Sequence, residues 1–197
     1  MTAPITSTVS GDALALLSEW LPFNSDPVRP QIQLATVDAD GRPDIRTLLL
    51  SEWSAQGFYF HTDARSRKVN DLAANPAVAI EVLWPGFSRQ LVIRGYAEQA
   101  SEEEELDAYA RRSPYLRQLA WLNTHDVAAL PPAEREAKWA SFAASHNLAT
   151  IDPPDSWVGY LVRPDRLTFW ESSPSAPSHR VEFCLEADTW TEHHLPG

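Results

Sequence analysis

The chain has 197 residues, a formal net charge of −11 and 44% hydrophobic residues, eight of them Trp. That is enough for one ordinary core with chain left over for an arm or a helical layer, and it excludes a mainly disordered protein. The acidic balance argues against a nucleic-acid or anionic-membrane binder, and the lone Cys184 excludes an intrachain disulfide and a thiolate metal site. No apolar run approaches membrane-spanning length and no basic-then-apolar leader opens the chain, so a cytoplasmic protein is expected.

Residues 1–29 read as an N-terminal arm. Its first ten residues are small, polar and expected to be mobile. A short amphipathic helix follows from Ala13 to Leu21 with Asp12 as its cap, and then a linker marked by Pro22, Pro27 and Pro30. Residues 30–197 read as a single domain. From Gln31 the pattern alternates, and Asp38 to Pro43 forms a hairpin loop in which Gly41 supplies the positive φ. The return strand is expected from Asp44 to Trp53, and the next from Phe58 to Thr62, with Phe58 and Phe60 on its buried face.

A helix follows, ended by Asn75-Pro76, with Val69, Leu72 and Ala73 on one side. Strands Ala77–Trp84 and Arg89–Gln99 come next, and Gly95 permits a bulge or a close approach. Ser101 caps an acid-opened helix, a second starts at Pro114, and a third at Pro131-Pro132 places Ala137, Ala140, Phe142 and Ala143 inward. Strands Trp157–Arg163 and Leu167–Trp170, separated by a turn at Pro164, precede a final hairpin across Ala187-Asp188. The expected class is mainly β with helices (α+β): an antiparallel barrel of about six to eight strands with a helical insertion.

The segment Arg65-Ser66-Arg67-Lys68 gathers three cations and a hydroxyl at a helix start, where unpaired N–H groups favour an anion. Cations there oppose the helix dipole, which makes sense if a phosphate monoester sits among them. The plainer alternative is a solvated basic corner. Arg46, between apolar neighbours on a strand, must reach solvent or find an anion. The six His residues (61, 125, 146, 179, 193 and 194) have no helical metal spacing, so no metal site is expected. Phosphate-loop, nucleophile-elbow and Rossmann motifs are missing too.

Taken in order, several segments resemble the pyridoxamine 5'-phosphate oxidase family. They are Leu34-Ala35-Thr36-Val37-Asp38 with Gly41-Arg42-Pro43, Arg46-Thr47-Leu48-Leu49-Leu50, Phe58-Tyr59-Phe60-His61-Thr62 and Ser66-Arg67-Lys68. Leu72 to Pro76, Trp84-Pro85, Arg89-Gln90 and Leu167-Thr168-Phe169-Trp170 continue the likeness. The resemblance implies an FMN-binding split β-barrel homodimer with FMN at the subunit interface. It also implies an FMN-dependent oxidoreductase that converts pyridoxine or pyridoxamine 5'-phosphate to pyridoxal 5'-phosphate with dioxygen. Carried over, Arg46, Arg67 and Lys68 hold the FMN phosphate, with Ser66 beside them. The backbone of Arg46, Thr47, Leu48 and Leu49 lines the flavin together with His61 and Thr62, where the family usually has Tyr-Thr. Gln90 contacts the ring, and Trp170 and Arg180 reach across from the partner subunit.

The substrate side departs from the family pattern. Ser51 replaces a Lys, and His125-Asp126 replaces Gln-Ser. Tyr109 matches a substrate-phosphate tyrosine, but the Arg four residues on falls on Ser113, leaving Arg112 and Arg117 as replacements. The C-terminal Arg-Leu-His-Asp-Arg signature reads Ala176-Pro177-Ser178-His179-Arg180, with His179 as the candidate substrate histidine. The cofactor carries the redox chemistry, so no catalytic side chain is named. The small-molecule substrate is either a B6 vitamer phosphate or, in a divergent FMN oxidase or reductase, something else. The remaining alternative is a non-catalytic dimer that binds flavin or has lost it.

Overall fold

The computed structural model describes residues 8–197; the expectation for the first seven lies outside the described residues. The chain divides into two compact units. Of the described residues, one comprises 8–60, Arg67–Gln99 and Tyr160–Gly197, and the other His61–Ser66 and Ala100–Gly159.

The first unit is built on an antiparallel sheet. Its strands are β1 (Gln31–Val37), β2 (Pro43–Leu49), β3 (Glu52–Ser54), β4 (Gly57–Asp63), β5 (Ala77–Leu83), β6 (Arg89–Gln99), β7 (Trp157–Glu171), β8 (His179–Glu186) and β9 (Thr189–Pro196). They run in the order β2-β1-β5-β6-β7-β4-β3, with β8 paired to β7 and β9 to β8. By the division above, β4 beyond Phe60 and β7 before Tyr160 belong to the other unit. The expected class is borne out, although among the described residues the sheet has nine strands rather than the six to eight expected.

Period-two alternation assigns the faces. Ile32, Leu34, Phe58, Phe60, Leu91, Ile93 and Leu167 are fully buried on the inner face. Gln33, Glu81, Gln90, Thr168 and Trp170 point to the outer face. Helix α1 (Gly11–Trp20) buries Ala13 and Leu17, and sets Trp20 edge-on to Phe169 at 5.1 Å. Its cap is Ser10, whose hydroxyl accepts from the Ala13 N–H at 3.3 Å, and not Asp12, which lies inside the first turn. Helix α2 (Arg67–Ala74) buries Leu72 and, unexpectedly, Asp71, while Ala73 is exposed.

Two further differences have clear causes. The strand expected from Asp44 to Trp53 breaks at Leu50-Ser51, because the chain changes partner there. The Leu50 N–H donates to Pro30 O at 2.9 Å and the Ser51 N–H to Tyr59 O at 2.8 Å. Conversely, Pro164 does not end a strand: β7 runs through it. A bulge between Arg94 and Gly95 absorbs the irregularity opposite Pro164, and a Cβ on Gly95 would lie 2.0 Å from Arg163 O. The closing hairpin turns on Ala187 and Asp188, both with positive φ (45° and 65°), as a tight two-residue turn requires.

The second unit carries α3 (Glu102–Ala110), α4 (Pro114–Leu122), α5 (His125–Ala128) and α6 (Pro132–Ser145). Ser101 and Glu104 form a reciprocal capping box at α3. Helix α6 buries none of its residues, so Ala137, Ala140, Phe142 and Ala143 do not form the inward face expected. The helix rests on α4 through aromatic edges, Tyr115 on Trp139 at 5.4 Å and Trp121 on Phe142 at 6.1 Å. The Gln118 amide also donates to Trp139 O at 2.6 Å.

The Gly95 crossing yields a stability prediction. Gly95→Ala forces the backbones of β6 and β7 apart and should cost about 2–3 kcal/mol, read as a lower urea midpoint. An unchanged midpoint would show that the crossing relaxes freely.

Candidate functional site

Within the first unit, the hairpin register puts Arg46 opposite Leu34 and Asp44 opposite Thr36, all on the inner face. The Arg46 guanidinium is held on four sides. One terminal nitrogen donates to Leu34 O at 3.1 Å and to Thr36 Oγ1 at 2.7 Å. The other donates to Asp44 Oδ2 at 3.0 Å and to Asp71 Oδ2 at 3.4 Å. Thr36 also donates its hydroxyl to Asp71 at 2.7 Å, so the buried acid has two partners. Arg67, the first residue of α2, lies 3.7 Å from the same Asp44 oxygen. Partial desolvation pushes the Asp44 carboxyl up, but Arg46, the Ile45 N–H and Arg67 outweigh it and hold it below the ordinary carboxylate range. Two guanidiniums from separate elements therefore converge on one oxygen, an arrangement suited to a phosphate.

On the outer face three expected site residues fall in one cross-strand row: Gln90 opposite Trp170, and Trp170 opposite Arg180. The Gln90 amide donates to Glu81 one strand over. Thr47 and Gln33 bond each other on the same face, at 3.0 and 3.1 Å. Leu48 and Leu49 close β2 half-buried, Lys68 sits in the first turn of α2, and His179 opens β8 with its Nε2 3.3 Å from His194 Nδ1.

The second unit brings together Tyr109, Arg112 and Arg117. Arg117 donates to Ala110 O at 2.6 Å, to Arg112 O at 3.2 Å and to Ala149 O, which makes it a tie between loops. The Tyr109 hydroxyl donates to Asp152 O at 3.2 Å. Arg112 differs. Its guanidinium lies 4.3 Å from the centroid of the Trp157 ring, and its buried Nε has no hydrogen-bond partner. Burial, only partly offset by Tyr109, pulls its pKa down to about 10. His61 stacks on Trp157 at 4.9 Å with the rings 2° from parallel, and a Cβ on Gly159 would lie 2.9 Å from its ring. Burial first, then the positive charges of Arg112 and Arg111, lower the His61 pKa to about 3, against a smaller opposing effect of Glu104.

Thr62 Oγ1 lies 3.5 Å from Ser66 Oγ, and Arg65 is locked on Asp63 through two bonds of 2.9 and 2.6 Å. A pocket of about 370 Å³ is lined by Ser66, Asp63 and Arg65 together with Thr124, His125 and Asp126 at the start of α5. Among the described residues there is no group of three potential ligands that could hold a metal ion.

Thr36, Asp44 and Asp71 were not singled out from sequence. Period two already places Asp44 and Arg46 on one strand face, and the hairpin pairing adds Thr36. Asp71 carries no such signal, because its burial depends on α2 packing against β1.

The His61 environment sets a pH dependence. Between pH 6.5 and about 3 the unfolded chain binds a proton that folded His61 refuses, so stability falls as the pH drops through that window. Between pH 7 and pH 5 the wild type should lose about 2 kcal/mol more than His61→Leu, by urea unfolding at each pH. Equal acid losses would contradict a buried neutral imidazole.

Residues 28–144 match the family model described as pyridoxamine 5'-phosphate oxidase. A pyridoxine/pyridoxamine 5'-phosphate oxidase of Haemophilus influenzae (strain 86-028NP) is 37% identical over 186 residues, 91% of this chain and 88% of the relative. One of Actinobacillus succinogenes is 36% identical over 164 residues, 83% of this chain and 78% of the relative. Among solved structures, PhzG from Burkholderia lata, in complex with tetrahydrophenazine-1-carboxylic acid, matches with a TM-score of 0.74 at 21% identity. That match covers 94% of this chain and 89% of the other. A pyridoxamine 5'-phosphate oxidase-related, FMN binding protein of Nostoc punctiforme matches with a TM-score of 0.71 at 19% identity, over 95% and 96%. The fold is thus the split barrel of FMN-binding proteins, and the chain belongs to the pyridoxamine 5'-phosphate oxidase family.

Proposed function

We propose that the protein is an FMN-dependent oxidoreductase whose Arg46 and Arg67 grip the flavin's phosphate. The convergence of both guanidiniums on the single Asp44 oxygen carries this reading. The donor set fits the group: forked, permanently charged donors suit a phosphate monoester. Lys68 adds a point charge one residue after Arg67, and Ser66 a hydroxyl one residue before it. The backbone of Thr47, Leu48 and Leu49, together with His61, Thr62, Gln90, Trp170 and Arg180, completes the proposed cofactor set. Bound FMN would supply the hydride acceptor and its reoxidation by dioxygen. The protein's part is to orient, to exclude water and to set the charge around the ring.

The outer sheet face supports a homodimer. It leaves Ile45 62% exposed and Leu83 49% exposed, and Leu195 extends the row of Gln90, Trp170 and Arg180. A second copy covering that face would bring Trp170 and Arg180 to its partner's flavin.

The relatives' names favour oxidation of pyridoxine or pyridoxamine 5'-phosphate. A second reading, a different small anionic substrate, is favoured by one observation. Tyr109, Arg117 and His179 are engaged within the chain, so that of these four substrate candidates Arg112 is the one with an unmet hydrogen-bond donor. The protein's location is proposed as cytoplasmic; among the described residues no helix is long and apolar enough to cross a membrane.

Arg67→Ala tests the cofactor assignment, because this exposed side chain supports little of the fold. It should weaken FMN binding by about 2–3 kcal/mol, measured by quenching of flavin fluorescence. Undiminished affinity would remove Arg67 from the site. Adding pyridoxine 5'-phosphate to the FMN-loaded protein without oxygen decides the substrate. Bleaching of the flavin absorbance supports the B6 reading, and an unbleached flavin favours the second.

A further inference from the structure

Arg46 has no terminal donor to spare. Each of its two terminal nitrogens carries two hydrogens, and the four acceptors are Leu34 O, Thr36 Oγ1, Asp44 Oδ2 and Asp71 Oδ2. A phosphate that takes a terminal N–H from this guanidinium must therefore displace one of them. Three are fixed. Leu34 and Thr36 belong to the buried face of β1, and the Asp71 side chain is 5% exposed and also bonded to Thr36. The fourth is different: the Asp44 side chain is 41% exposed, and its Oδ2 lies between Arg46 and Arg67. That oxygen is where a shared anion would sit. Arg67, 82% exposed, is free to follow whatever replaces it.

The geometry points to Asp44 as an internal competitor for the phosphate position: its carboxylate pairs with Arg46 and Arg67 and has to swing out when a phosphate monoester binds. The inference rests on the phosphate-gripping role given above to the two arginines. It adds a residue that sets affinity and selectivity, and that side chain opposes binding. After it swings out, the carboxylate stays tethered to the strand, close to a dianion, and like charges at that range repel appreciably even near the surface. Against this, Asp44 preorganises Arg67 only through a 3.7 Å contact at an exposed site, which is worth little. Repulsion outweighs preorganisation, so removing the charge should tighten binding.

The test compares wild type, Asp44→Asn and Asp44→Ser with three probes: inorganic phosphate, FMN and riboflavin. Phosphate binding is read from the rise in melting temperature, and the flavins from fluorescence quenching. Both variants should bind phosphate and FMN about tenfold more tightly than wild type, with riboflavin unchanged within twofold. Phosphate affinity that is equal or weaker in a folded variant overturns the proposal, as does absence of phosphate binding by all three proteins. Two variants are used so that misfolding of one does not decide the outcome. The FMN arm separates the two readings. If the variants gain phosphate affinity but no protein binds FMN, the Asp44 assignment stands and the flavin reading fails.

Discussion

A buried carboxylate with two partners holds the first unit's site together. Asp71 comes from α2, Thr36 from β1 and Arg46 from β2, and each contacts the other two. An unpaired acid at that depth would cost several kcal/mol, so the three elements are tied to one geometry. The same tie sets where α2 begins, and hence where Arg67 stands relative to Asp44. Positioning of Arg46 and Arg67 is thus a consequence of satisfying one buried carboxylate, rather than of the exposed ion pairs around it, which are individually weak.

The second unit solves a related problem without a carboxylate. Arg112 is kept against Trp157, and the aromatic face supplies the electrostatic partner that a buried guanidinium needs. The same ring stacks on His61, whose neutrality follows from burial beside two arginines. A protein of net charge −11 thereby holds a shielded guanidinium in each unit, Arg46 balanced by Asp44 and Asp71 and Arg112 set against Trp157. Small anionic ligands suit that distribution better than an extended polyanion does.

Much of the scaffold could be read from the sequence because it rests on local rules. Alternation marks β1 and β6, a run rich in Val, Ile and Leu marks β5, Gly41 takes its turn with a φ of 81°, Ser101 caps α3, and Gly95 lies at a crossing. Failures arose where tertiary context decides. Pro164 reads as a strand breaker until the register shift at Arg94/Gly95, which leaves Asp165 of β7 unopposed, is known, and α6 reads as an inward helix although it buries none of its residues. For the site, the cations were legible and their acids were not. Arg46 and Arg67 stand out as charges in an apolar strand and at a helix start, whereas Asp44 and Asp71 look like ordinary surface acids until the strand register and helix packing place them. Arg117, a substrate candidate by the family resemblance, instead braces three backbone carbonyls.

The proposed function requires the two converging guanidiniums to recognise a phosphate ester and the rest of the site a flavin ring. Calorimetric titration of the flavin-free wild-type protein with FMN and with riboflavin, at matched pH and salt, tests it most directly. FMN should bind at least a hundredfold more tightly, a difference of about 3 kcal/mol for charge-assisted contacts to one phosphate. Equal affinities, or no binding of either flavin, would contradict it.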